Sequence, residues 1–133
     1  MKNKLQEKKH NTLLGPYQLG NLNIMFKMVP GWGGSFDTCP TDSIPIICIG
    51  RDEDNWGEVV ETVLHELFET AFLMARKRFS PNNNHTQDSS MYYFFFDHPA
   101  FADVCGKVSN CLETCLKDVK AAWRPGHRKI RKV

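Results

Sequence analysis

The feature that most constrains the fold is a long segment, residues 56–79, in which apolar residues recur at helical spacing and predict an α-helix. At about 100° per residue, one side of this helix carries an apolar stripe that two phenylalanines widen. The stripe consists of Val60, Val63, Leu64, Leu67, Ala71 and Met74, with Phe68 and Phe72 beside it. A helix this apolar is expected to lie in the middle of a fold. Asp54 or Asn55 can cap its start.

Segments before this helix are typical of strands. Residues 13–29 contain two glycine-punctuated extended segments, and in the second Ile24, Phe26 and Met28 alternate with other residues, which indicates a half-buried strand. The segment IPIICIG, residues 44–50, suits a strand with most of its surface covered, and Pro45 favours an edge or first-residue position. The Gly- and Pro-rich stretch between them predicts a long loop, with GWGGS as a flexible turn.

The second half of the chain predicts one more strand and one more helix. The aromatic run MYYFFF, residues 91–96, is a strand candidate that follows a polar loop at 80–90. A final helix is expected over residues 99–123 and is ended by Arg124-Pro125-Gly126. These elements predict a single α+β domain over residues 12–123, in which a small β-sheet packs against two long α-helices. Basic tails flank it at 1–11 and 124–133.

Charge and cysteine content narrow the class of protein. Acidic residues outnumber basic ones between the tails, so nucleic acid is an unlikely partner except through the tails themselves. No apolar run approaches the roughly 20 residues that span a bilayer, and no secretion signal is recognisable, so a cytoplasmic protein is expected. The odd count of 5 cysteines favours reduced thiols, and Cys105, Cys111 and Cys115 suit small buried thiols that pack against the first helix.

The candidate site lies on the first helix, in the stretch VLHELFE. His65 and Glu69 are four residues apart and therefore point the same way, while Glu66 projects about 100° round from His65. The H-E-x-x-H zinc motif uses this geometry, with two ligands at i and i+4 and a carboxylate at i+1 that acts as a base. Zinc accepts imidazole nitrogen and carboxylate oxygen. We expect His98 to be the third protein ligand, because it stands between the aromatic strand and the final helix, and His85 to be a less rigid alternative.

The strand IPIICIG, the acidic loop after it and the helix carrying VLHELFE resemble the centre of the minimal zincin metallopeptidases, where an edge strand runs beside the active helix. The resemblance covers residues 44–79. It implies that His65 is a zinc ligand and Glu66 the general base, and here Glu69 replaces the second helical histidine. The chain is then a zincin-like metal-binding protein that hydrolyses peptide or amide bonds.

Two alternatives stay open. Glu61, Glu66 and Glu69 can be the solvated side of an amphipathic helix, with His65 at its boundary. The chain can also be a non-catalytic protein-binding accessory, of the phage or mobile-element type, that retains a zincin-like scaffold. In that case the aromatic strand offers a contact for a protein partner or for a homodimer.

Overall fold

A computed structural model describes residues 11–37, 44–75, 78–79 and 93–130. These described residues contain two helices and six strands. They are β1 (Thr12–Leu19), β2 (Leu22–Val29), β3 (Gly34–Asp37), β4 (Ile46–Gly50), α1 (Trp56–Met74), β5 (Arg78–Phe79), β6 (Tyr93–Phe94) and α2 (His98–Ile130). The predicted α+β domain with a small sheet and two long helices is confirmed. Most of the predicted N-terminal tail, the polar loop and Cys39 lie outside the described residues.

The main sheet has four strands in the order β1–β2–β4–β3. β1 and β2 form an antiparallel hairpin, β2 and β4 are parallel, and β4 and β3 are antiparallel. β4 therefore lies between two strands that both precede it in the sequence. β4 is not an edge strand, and Pro45 instead meets the other expectation, a place at the start of the strand: it stands one residue before β4, where its missing N–H costs the strand no hydrogen bond.

One face of the sheet carries the core. Alternate residues of β2 and β4 are fully buried, as the period of two in the β2 sequence predicts. These residues are Ile24, Phe26, Met28, Ile47 and Ile49. Both helices pack on this face, α1 over β3 and β4 and α2 over β1 and β2, and they contact each other. Each fully buried side chain of this size contributes roughly 1.5–3 kcal/mol.

Helix α1 begins where the sequence predicts and ends earlier. The Asn55 side chain accepts a hydrogen bond from the Glu58 backbone N–H at 2.9 Å, so Asn55 is the N-cap. The helix ends at Met74 and not at residue 79, because the chain turns away to pair Arg78–Phe79 with β6. The buried face centres on Val59, Val63 and Leu67, and Met74 of the predicted stripe is exposed.

Two other boundaries differ from the predictions. Residues 34–37, predicted as loop, form β3 because they pair with β4. Helix α2 continues to Ile130, so the predicted end at Arg124-Pro125-Gly126 is wrong. A proline removes only one backbone N–H donor, and the hydrogen bonds of neighbouring turns carry the helix past it.

The buried cysteines of α2 belong to the core. Of the three thiols predicted to be buried, Cys111 and Cys115 are fully buried, whereas Cys105 is only half-buried. Cys48, Cys105, Cys111 and Cys115 are free thiols. The hydrogen bond to Cys111 and burial together raise the pKa of Cys115 well above its ordinary range. No helix in the described part of the chain is both long and apolar enough to cross a membrane.

Candidate metal centre

The predicted helical pair forms a close contact. His65 Nε2 lies 3.2 Å from Glu69 Oε2, one turn away on α1. The His65 side chain is 69% exposed, so it reaches into solvent instead of lying at the boundary of the core. Each of His65, Glu66 and Glu69 offers one ligand atom, and these three atoms lie within 4.8 Å of one another. The described residues thus hold a cluster of one imidazole and two carboxylates.

Glu66 is the unusual member of this cluster because it is only 6% exposed. Among the described residues its carboxylate has no hydrogen-bond or salt-bridge partner, and Thr70 Oγ1 donates to the Glu66 backbone carbonyl instead. Burial raises the pKa of Glu66, the neighbouring Glu69 carboxylate raises it further, and His65 opposes the shift. The solvated-side interpretation therefore holds for Glu61, which is exposed, and is wrong for Glu66.

A cleft of about 230 Å³ opens beside this cluster. Its walls are helix α1 on one side and the start of β3 on the other. The lining residues are Gly33, Gly34, Glu61, Thr62, His65 and Glu66. β3 lies so close to the helix that a Cβ added at Gly34 would stand 2.8 Å from Thr62 Cγ2 and 3.0 Å from Glu66 Cγ. Sequence reasoning missed Gly33 and Gly34, although paired glycines often mark such close approaches.

The turn that leads into β3 is held firmly. Gly31 N–H donates to Asp52 Oδ2 at 2.5 Å, and Gly33 N–H donates to Glu53 Oε1 at 2.8 Å. In return the Gly31 and Gly33 carbonyls accept from Asp52 N–H at 2.9 Å and Gly50 N–H at 2.7 Å. The flexible turn predicted for this segment is therefore fixed by four hydrogen bonds, three to the loop before α1 and one to the last residue of β4.

His98, the predicted third ligand, does not belong to the cluster. It is exposed at the first residue of α2. The preceding aromatic segment packs further along α1, where the Phe96 ring stacks on Phe72 with centroids 4.8 Å apart. Phe72 is seven residues beyond His65, which is about 10 Å along the helix axis. His85, the alternative ligand, lies outside the described residues.

The aromatic segment leaves an exposed surface. Phe94, Phe95, Phe96 and Phe101 are all exposed, and the first three follow one another in the sequence. The Phe96 and Phe101 rings stack with centroids 5.3 Å apart, continuing the stack that begins at Phe72. This group of four residues, the aromatic surface, is a second feature that a partner can contact.

The donor set of the cluster suits a divalent cation. An imidazole nitrogen and two carboxylate oxygens are ligands that zinc accepts, and a buried carboxylate without a partner is costly unless it is protonated or neutralised. No protein-family model, curated protein or solved structure matches this chain. The chemistry of the cleft is therefore inferred from its residues and their geometry.

Proposed function

We propose that the chain is a zincin-like zinc-dependent hydrolase of peptide or amide bonds. The observation that carries the proposal is Glu66 beside the His65–Glu69 pair: it is a largely buried residue whose carboxylate faces the cleft and has no hydrogen-bond partner among the described residues. A carboxylate in this position costs stability, and proteins retain such groups mainly where they act on a proton, a metal or a substrate. The order of the three residues on α1 is that of the motif H-E-x-x-E.

The residues present fit a zinc ion. His65 and Glu69 would hold it, since their ligand atoms are already neighbours at 3.2 Å. When bound, zinc supplies Lewis acidity that polarises a carbonyl and acidifies water. Glu66 faces the same cleft, and its raised pKa brings it toward the range in which a carboxylate accepts and returns a proton efficiently near neutral pH. Glu66 is therefore the proposed general base.

The edge of the sheet supports a peptide as substrate. β3 is the terminal strand of the four-stranded sheet, and its first residue, Gly34, lines the cleft. An extended peptide can add to such an edge by main-chain hydrogen bonds, independently of its sequence. This pairing would bring a backbone carbonyl of the peptide close to the cluster on α1.

Metal analysis tests the proposal directly. The untagged chain, purified without chelator, is expected to contain close to one zinc per molecule. Its melting temperature should fall in EDTA, since a ligand that binds only the folded state stabilises it. His65→Ala and Glu69→Gln should lose the metal. Glu61→Gln is the matched control, because Glu61 is an exposed glutamate of the same cleft outside the cluster.

Activity separates the roles within the cluster. Glu66→Gln should retain zinc and lose hydrolysis by about 10²- to 10⁴-fold, the usual effect of removing a general base. His98→Ala decides whether His98 serves as the third ligand, since only a ligand should affect the zinc content. A chain that carries no zinc, and whose melting temperature is the same with and without EDTA, would contradict the proposal.

A non-catalytic protein-binding accessory, of the phage or mobile-element type, is the second candidate. The exposed aromatic surface favours it, because clustered exposed aromatic side chains mark protein contacts more often than chance. In that case Phe95→Ser should abolish partner binding or dimerisation in sedimentation experiments, whereas His65→Ala and Glu69→Gln should not. Leu13→Ser, at another exposed hydrophobic residue, is the control.

A further inference from the structure

Trp32 is the most exposed large hydrophobic residue in the described part of the chain, at 73%. The other two tryptophans behave differently, since Trp123 is buried and Trp56 is half-buried against it, with ring centroids 5.8 Å apart. An indole left in water forgoes a large burial energy. Tryptophans placed in this way are enriched among residues that dominate binding.

The backbone that carries Trp32 is rigid. Trp32 lies between Gly31 and Gly33, which have φ of 104° and 74°, conformations that residues other than glycine rarely adopt. Carboxylates of the loop before α1 accept hydrogen bonds from both glycine N–H groups. Gly50 packs beneath the turn, where an added Cβ would stand 2.7 Å from Trp32 Cα. Little backbone entropy is therefore lost when a ligand contacts the indole.

The position of Trp32 connects it to the cleft. The next residue, Gly33, lines the cleft with His65 and Glu66, and adjacent Cα atoms are only about 3.8 Å apart. β3, the edge that an extended peptide can join, starts two residues after Trp32. The backbone of this exposed tryptophan therefore lies beside the cleft, two residues before the edge strand begins.

We infer that Trp32 is a specificity-determining residue of the cleft and contacts a large apolar side chain of an extended peptide substrate. This inference rests on the proposed function, and it adds a preference for aromatic or large aliphatic side chains near the scissile bond. Charged and small side chains gain nothing from an indole surface, whereas an apolar side chain removes both surfaces from water. One apolar side chain more or less in such a contact changes the specificity ratio roughly 10- to 200-fold.

The test measures binding separately from catalysis. Fluorescein-labelled peptides of one backbone, with Ala, Leu, Phe or Glu placed at successive positions, are titrated with zinc-treated Glu66→Gln protein, and anisotropy gives Kd. The Leu and Phe peptides should bind at least about tenfold more tightly than the Ala peptide at one position. Adding Trp32→Ala should remove this preference and leave the affinity for the Ala peptide unchanged, and Trp32→Phe should retain part of it. Leu13→Ala, which changes an exposed residue of β1, should behave as the parent protein.

Each other outcome is decisive. Peptides that bind without regard to the variable side chain, or that do not bind, overturn the inference. If Trp32→Ala lowers the melting temperature by several degrees, the indole packs within the chain. If Trp32→Ala changes the oligomeric state, the indole contacts a second copy of the chain. Either result also overturns the inference. The zinc content of the same samples tests the proposed function separately. Peptide binding can show a side-chain preference without cleavage, so either proposal can fail while the other holds.

Discussion

Glu66→Gln is expected to stabilise the metal-free protein at neutral pH while it removes activity. In the wild type, folding partly removes the Glu66 carboxylate from water and places it near the Glu69 carboxylate, with no hydrogen-bond partner among the described residues. A buried polar group without a hydrogen bond costs about 1–3 kcal/mol, and more when it is charged. The glutamine amide stays unpartnered as well, so the net gain should be about 1–2 kcal/mol, or a rise in melting temperature of about 3–8 °C.

The pH dependence follows from the direction of the pKa shift. The pKa of Glu66 is raised in the folded protein by burial and by the neighbouring Glu69 carboxylate. Its protonated form therefore contributes stability that is fully present below the unfolded pKa, near 4.5, and is lost as pH rises through the folded pKa. The advantage of Glu66→Gln should accordingly be large at pH 7 and vanish near pH 4.

Urea unfolding in EDTA at pH 4 and pH 7 measures this effect, with Glu61→Gln as the control. Glu61 is exposed on the same helix, so its substitution should change the unfolding free energy by less than about 0.5 kcal/mol. Two results would contradict this reasoning: a Glu66→Gln variant less stable than the wild type at pH 7, or one whose unfolding free energy rises equally at pH 4 and pH 7. In either case folding would impose no cost on the Glu66 carboxylate, and its burial would no longer indicate a proton-transfer or metal role.

Other predictions concern the frame that holds the site. Tyr17 donates a hydrogen bond to Asp118 Oδ2 at 2.6 Å, so Tyr17→Phe should lower the unfolding free energy by about 1.5 kcal/mol in urea titrations. Burial, and then this hydrogen bond, raise the pKa of Tyr17. Wild-type stability should therefore fall as pH rises above about 10, and Tyr17→Phe should lack this alkaline loss. Gly50→Ala should destabilise by about 1–3 kcal/mol, since its Cβ would stand 2.5 Å from the Gly31 carbonyl oxygen. Gly106→Ala, on α2 where an added Cβ meets no neighbour, should stabilise the protein by about 0.5–1 kcal/mol, because alanine loses less backbone entropy in a helix. Calorimetry of the Gly50→Ala and Gly106→Ala variants should therefore show changes in melting temperature of opposite sign.

The sequence predicts the parts of this structure that local patterns control. The alternation around Phe26 indicates a strand with one buried face, and the Asn55 cap begins α1 where expected. The contact between His65 and Glu69 follows from their spacing of four, because a helix places such residues one turn apart.

The remaining features depend on distant parts of the chain. Nothing local marks Gly34–Asp37 as a strand, since the segment becomes one by pairing with β4. The burial of Glu66 arises from the approach of Gly34, some thirty residues earlier, and periodicity along α1 alone does not reveal it. The placement of His98 is likewise not a local property. It depends on where the aromatic segment packs, and Phe96 packs on Phe72.

The insertion of β4 between β2 and β3 also determines the order in which the sheet can be completed during synthesis. When β2 and β3 have left the ribosome, β4 has not yet followed, so the edge of each strand that pairs with β4 is still without a partner. Both edges can be paired only once the chain has emerged as far as Gly50, the last residue of β4. Parallel and other non-local pairings form slowly, and unpaired strand edges invite association with other chains. A nascent chain that stops before residue 50 should therefore aggregate more readily than one that stops just after it.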